Sequence, residues 1–187
     1  MRQATRFGNA VRKLIVENDD ALLEEWLLEE GGFDADPGAL RELAAFVQDA
    51  TFLKAHNSSA VLKFLGFDYA TMDPASREYV EKEIVPLLSR AYAEFEDWMS
   101  WYLICDMLGR YLANDLALST LIRLKGTAQD QPRSLVPMGL GLLVREASDR
   151  ETSQLALSEL KSLLNDPAEE VRAEAVLALK QVRNNAS

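Results

Sequence analysis

The chain has 187 residues, 48% of them hydrophobic and 27% charged, with a formal net charge of −10. That is enough apolar material for a packed core and too much for a disordered chain. No apolar run approaches the ~20 residues of a membrane-spanning helix, and the polar, basic start Met1–Ala10 does not read as a secretory signal. One cysteine, Cys105, cannot form an internal disulfide, and one histidine, His56, leaves too few ligands for a zinc site. A soluble, reduced, cytoplasmic chain is expected.

Nearly every segment has helical spacing, and the alternating β-branched runs of strands are missing, so an all-α fold is predicted. The first predicted helix covers Ala4–Val16, with Val11, Leu14 and Ile15 on one face. Asn18 or Asp19 caps a second, Asp20–Glu30, with Leu22, Leu23, Trp26 and Leu27 as its apolar set; Gly31-Gly32 stops it. The loop Phe33–Pro37 leads to a third helix from Gly38 to His56, and a short one follows over Ser58–Leu65. Asp73-Pro74 starts the next helical segment, and Pro86 should kink or split it near Val85. Beyond Pro86, Leu87 to Leu108 form a broad apolar stripe, predicting the central helix of the domain. Phe95, Trp98 and Tyr102 lie in that stripe; Trp101 falls ~60–90° away on a helical wheel, partly exposed and available to a partner.

The last third repeats itself. Leu116-Ala-Leu-Ser119 recurs as Leu155-Ala-Leu-Ser158 at an offset of 39, and Pro132-x-x-x-Val136 recurs as Pro167-x-x-x-Val171 at an offset of 35. Two helical hairpins of this length have the arithmetic of a helical solenoid. Asp166-Pro167-Ala-Glu-Glu-Val171-Arg172-Ala-Glu-Ala175-Val-Leu-Ala178-Leu179 resembles the second half of a HEAT repeat. That family favours Asp-Pro at the inter-helix turn, then Val-Arg, then small residues facing inward. The earlier copy departs from it: Gln131-Pro132 replaces Asp-Pro, and Pro137 stands where the arginine belongs. The resemblance implies a HEAT-like α-solenoid, an array of antiparallel helical hairpins, as a single helical-repeat domain over residues 1–187. Within it, residues 1–72 are acidic helices, 73–114 aromatic central helices and 115–187 two HEAT-like hairpins. The polar tail Arg183–Ser187 predicts a capped end.

Charge is uneven. Residues 1–100 hold 10 Lys/Arg and 19 Asp/Glu, a net of −9; residues 101–187 hold 10 and 11, a net of −1. Between Leu14 and Leu40 stand Glu17, Asp19, Asp20, Glu24, Glu25, Glu29, Glu30, Asp34 and Asp36 with no Lys or Arg. Such a field repels phosphate and attracts cationic surfaces. Asp34-x-Asp36-x-Gly38 has the beginning of a calcium loop, but Ala45 occupies the twelfth position, where a carboxylate is needed. A solvated capping loop is the better reading, and no metal or cofactor is expected. His56 reads as a helix-end residue and Cys105 as a buried structural thiol. No nucleophile elbow, Gly-rich phosphate loop, CxxC or His-Glu-x-x-His pattern occurs.

The expected function is therefore non-catalytic: a module that docks a basic protein through acidic helices, in its sharpest form an immunity-type inhibitor of a bacterial toxin. The expected contact residues are Asp20, Glu24, Glu25, Glu29, Glu30, Asp34, Asp36 and Trp101. The alternatives are a nucleic-acid-repair-like helical-repeat enzyme with Trp98, Trp101, Asp97 or Asp106 in a cleft, and a scaffold or assembly factor. The absence of Lys or Arg between Arg90 and Arg110 counts against gripping phosphate there.

Overall fold

The structure, a computed structural model, describes residues 5–33 and 37–184; these are helical with no strand. The chain divides into two compact units, Met1–Ser100 and Trp101–Ser187. The division coincides with the change in charge density along the sequence.

The first unit begins with α1 (Arg6–Glu17) and α2 (Ala21–Glu30). The Thr5 hydroxyl accepts from the Gly8 amide at 3.1 Å and donates to Glu42 Oε2 at 2.7 Å, so the start of α1 is capped and tied to the third helix. Asn18 ends α1 in the left-handed conformation (φ 55°) rather than starting α2. Asp19 and Asp20 begin α2: Asp19 Oδ1 accepts from the Ala21 amide at 3.0 Å, and Asp20 occupies the cap position. Gly31 stops α2 with φ 80°, its amide bonded to the Leu27 carbonyl.

The predicted third helix is two, α3 (Pro37–Phe46) and α4 (Ala50–Leu53). Asp49 breaks it by capping α4, its carboxylate accepting from the Thr51 amide at 2.7 Å. The following helix α5 (Ser58–Tyr69) runs one turn longer than predicted. Next, α6 (Pro74–Tyr79) starts at Asp73-Pro74, where the Asp73 carboxylate accepts from the Ala75 and Ser76 amides. Its continuation widens into a π-helical turn, Val80–Ile84, before α7 (Val85–Ala91) carries Pro86 in its first turn. The wider turn adjoins the proline, which has no amide to return to the helix.

The predicted long aromatic helix does not continue. A 3₁₀ turn over Tyr92–Glu94 leads to extended Phe95 (ψ 134°), and α8 (Trp98–Asp106) restarts beyond it. Asp97 marks the restart by accepting from the Met99 amide at 3.0 Å. The core of this unit is an aromatic chain: Phe7 meets Trp26, Phe33 and Phe46 with centroids 4.8–6.3 Å apart, and Phe52 links Phe46 to Phe95.

In the second unit a π-helical segment, Met107–Leu112, leads to α9 (Asp115–Lys125), α10 (Asp130–Ser134), α11 (Val136–Glu146), α12 (Arg150–Ser162) and α13 (Glu169–Asn184). The enclosed helix is α11, which packs against α9, α12, α13 and the π-helical segment. Close approach is possible because it carries Gly139 and Gly141. A Cβ on Gly139 would lie 3.0 Å from the Cys105 carbonyl oxygen, and one on the facing Gly109 only 2.3 Å from the Gly139 carbonyl oxygen.

The internal repeat holds a constant offset of 39, not 35, through both of its helical layers. At that offset buried Ala117, Leu121, Leu124, Val136 and Leu140 correspond to buried Ala156, Leu160, Leu163, Ala175 and Leu179. Arg133 corresponds to Arg172, and both do the same thing. Arg133 Nη1 donates to the carbonyls of Thr127 and Ala128 at 2.7 and 3.2 Å; Arg172 Nη1 donates to those of Asp166 and Pro167 at 2.7 and 2.8 Å. Aligning Pro132 with Pro167 pairs Pro137 with Arg172 instead, and Pro137 has no such contacts to offer. The predicted capped end is also incomplete, since α13 leaves Val176 41% and Leu177 49% exposed.

Gly109→Ala is expected to destabilise the protein by about 1–3 kcal/mol, because the new methyl meets backbone that cannot move aside. Gly141→Ala should stay within about 1 kcal/mol of wild type, since its Cβ would lie 3.1 Å from the Ala178 methyl and alanine favours the helix. Urea unfolding midpoints of the two variants check the contrast.

Arg133 is buried and bridges two turns, its guanidinium reaching Asp166 at 3.2 Å through both Nε and Nη2 and Asp130 at 2.6 Å. Arg133→Ala strands a buried carboxylate and two carbonyls and is expected to cost about 3 kcal/mol. Arg133→Lys should recover little of this, because a lysine cannot supply the planar fork. Thermal and urea unfolding of both variants test it.

Candidate functional site

The acidic stretch lies on α2 and its approaches. Packing against α1 brings in the cations that its own sequence lacks. Arg6 Nη2 lies 2.8 Å from Glu29 and 3.3 Å from Glu25, and its Nη1 3.1 Å from Glu30. Lys13 Nζ lies 2.8 Å from Asp19. The Glu29 carboxylate beside Arg6 raises that guanidinium above its ordinary value, and the Lys13 ammonium and Ala21 amide hold Asp19 below its own. The self-repulsion expected of an uncompensated stretch is thus partly relieved within the fold.

Asp20 and Glu24 are exposed, and among the described residues neither has a side-chain ion pair. Glu24 and Glu25 sit four and three residues before Leu28, so all three share the outer face of α2. Leu28 is 84% exposed, and Val16 at the end of α1 is 81% exposed. Sequence reasoning missed Leu28: four neighbouring apolar residues account for the buried face, and nothing in the spacing marks the fifth. Asp34 and Asp36, two of the predicted contact residues, lie outside the described residues.

Trp101 does not have the predicted exposure. It is 9% exposed, with its indole N–H buried and unpartnered, whereas Trp98, assigned to the core, is 58% exposed. The helical wheel assumed one helix from Leu87 to Leu108; the interruption at Phe95–Asp97 resets its phase. Of the two acids proposed for a repair-like cleft, one uses a single oxygen as a cap and leaves Oδ2 buried without a partner, and the other is in an ion pair. Asp97 caps α8 and Asp106 pairs with Arg110 at 3.0 Å. Cys105 is buried as expected, and His56 is exposed in the turn after α4. Among the described residues no group of three or more His, Cys, Asp or Glu is placed to hold a metal ion, and no helix is long and apolar enough to cross a membrane.

No family model matches this chain, and neither a curated protein nor a solved structure is significantly similar to it.

The Lys13–Asp19 pair gives a pH prediction. A carboxyl held below its unfolded value contributes stability above that value, ~3.9 for aspartate, and loses it as pH falls through the folded value. Lys13→Gln should therefore move the Asp19 titration upward, with the start of α2 fraying at higher pH than in wild type. A carboxyl NMR titration with amide exchange at Ala21–Leu23 reads both.

Proposed function

We propose that this chain is a non-catalytic protein-binding module that docks a basic partner through the outer face of α2, and that its second unit is a pair of HEAT-like hairpins of the α-solenoid type. Leu28 carries the functional reading. Leu28 adds nothing to the core of the fold, and Glu24 and Glu25, one turn before it on the same helix, place negative charge beside it. A partner that covers Leu28 while offering Lys or Arg to these acids gains apolar burial at the centre and Coulombic attraction at the rim. The sharpest form of the reading is an immunity-type inhibitor, covering the basic active site of a bacterial toxin such as a nuclease, in the cytoplasm. The hairpin reading is supported by the 39-residue offset, by its matched buried positions and by the equivalent turn contacts of Arg133 and Arg172.

A second reading, a scaffold that joins further subunits, is favoured by the exposed Val176 and Leu177 on α13. It predicts a salt-resistant set of several partners rather than one.

Glu24→Lys combined with Leu28→Ser tests the first reading. Glu25 and Glu29 are poorer choices because they already hold Arg6. Immobilised wild-type chain is expected to retain one stoichiometric basic protein from lysate at low salt and release it at high salt. The double variant, with its circular dichroism unchanged, should bind it at least about tenfold more weakly. Equal retention by the variant would remove α2 from the interface, and no partner at either salt would count against the reading as a whole.

A further inference from the structure

A second acidic surface lies in the other unit and differs from the first in being concave. Between α9 and α12 runs an open groove of about 320 Å³. Leu118, Ile122 and Leu155 supply its apolar lining and Asp115, Asp149 and Glu151 its charge; none of its lining residues is Lys or Arg. Ile122 is 38% and Leu155 49% exposed, so the apolar surface is open to solvent. At the 39-residue offset Ile122 corresponds to Lys161 and Asp115 to Gln154, so neither side chain is demanded by the repeat.

The carboxylates are positioned rather than loose. The Thr152 hydroxyl donates to Asp115, and the Thr152 amide donates to Asp149 at 2.7 Å, fixing two carboxylates on opposite helices. Each of these bonds uses one lone pair, and a carboxylate has roughly four acceptor sites, so both retain capacity for a cation. Glu151 is exposed, and among the described residues it makes no ion pair. Arg150 stands between Asp149 and Glu151 in sequence but does not line the groove.

A groove with apolar walls and three carboxylates selects an occupant with the opposite pattern. Simple cations would leave Ile122 and Leu155 uncovered, and an apolar ligand would desolvate the carboxylates without pairing them. A large apolar side chain flanked by Lys or Arg satisfies both. We infer that the α9–α12 groove docks a Lys/Arg-rich amphipathic segment of a protein partner, with an apolar side chain seated against Ile122 and Leu155. This inference is independent of the α2 surface, and either can fail alone.

The test titrates a synthetic amphipathic helical peptide of Leu, Lys and Ala into the isotope-labelled full chain, followed by amide NMR. Binding should shift the amides around Asp115–Ile122 and Asp149–Leu155. Ile122→Ser with Glu151→Lys should weaken it at least about tenfold. Leu155→Ser serves as a second variant, and circular dichroism verifies both folds. A control peptide with Ser in place of Leu, at equal charge, should bind much more weakly, and one with Glu in place of Lys should not bind. Three results would overturn the inference: no binding, equal binding of the Ser control, or shifts confined to other helices. Shifts on α2 alone would support the α2 surface and reject the groove.

Discussion

Arg133 holds the second unit together because it belongs to two turns at once. Its Nη1 satisfies carbonyls of its own turn, at Thr127 and Ala128, while Nε and Nη2 reach forward to the carboxylate of Asp166 in the next copy. Asp166 in turn accepts from the Ala168 amide at 2.9 Å and so orders the start of α13. A buried guanidinium would be costly alone, but this one has several partners, and Asp166, whose side chain is itself largely buried, would lose its cation without it. Thr127 occupies the position equivalent to Asp166, and Arg172 reaches only the carbonyls of its own turn. The interlock therefore runs in one direction, from the first copy to the second. The Lys125–Glu159 pair joins α9 to α12, the two helices that line the groove.

The first unit is held by different means. Its core is aromatic and its ion pairs are exposed, so the contacts of Arg6 with three glutamates add little stability. Their effect is on charge distribution. Arg6 partly neutralises Glu25, Glu29 and Glu30 and leaves Glu24, one turn before Leu28, without that compensation. The resulting surface is narrower than the count of acidic residues implies.

Local features were readable in the sequence. Gly31 ends α2, Asp73-Pro74 starts α6, and the helical class follows from spacing, because each depends on residues within one or two turns. Breaks that depend on competition were not readable. Asp49 takes the Thr51 amide and divides a helix whose apolar pattern continues through it, and Asp97 does the same before α8. The second break exchanged the expected surroundings of Trp98 and Trp101, since a helical wheel has no meaning across a change of backbone direction. Arg6 finds its partners 19–24 residues away, beyond any spacing rule. The Leu-Ala-Leu-Ser pair carries the offset of 39 at which buried positions and arginine contacts also match, whereas the two prolines suggest 35. Proline marks where a helix can begin, but the arginine contacts show which turn is equivalent to which.

Both candidate surfaces put exposed leucine or isoleucine among carboxylates, and that combination has a physical consequence. Apolar side chains left open to water promote self-association unless something opposes it. With a net charge of −10 and acids placed beside Leu28, Ile122 and Leu155, two copies of this chain bring like charges together wherever these apolar groups could meet. The same carboxylates attract a basic surface. Charge thus discriminates between wrong and right contacts, while the apolar side chain supplies affinity once contact is made. Screening by salt weakens the first effect much more than the second. A surface that works this way loses selectivity and encounter rate before it loses its capacity for contact, whereas a surface made acidic only for solubility has no apolar contribution to retain.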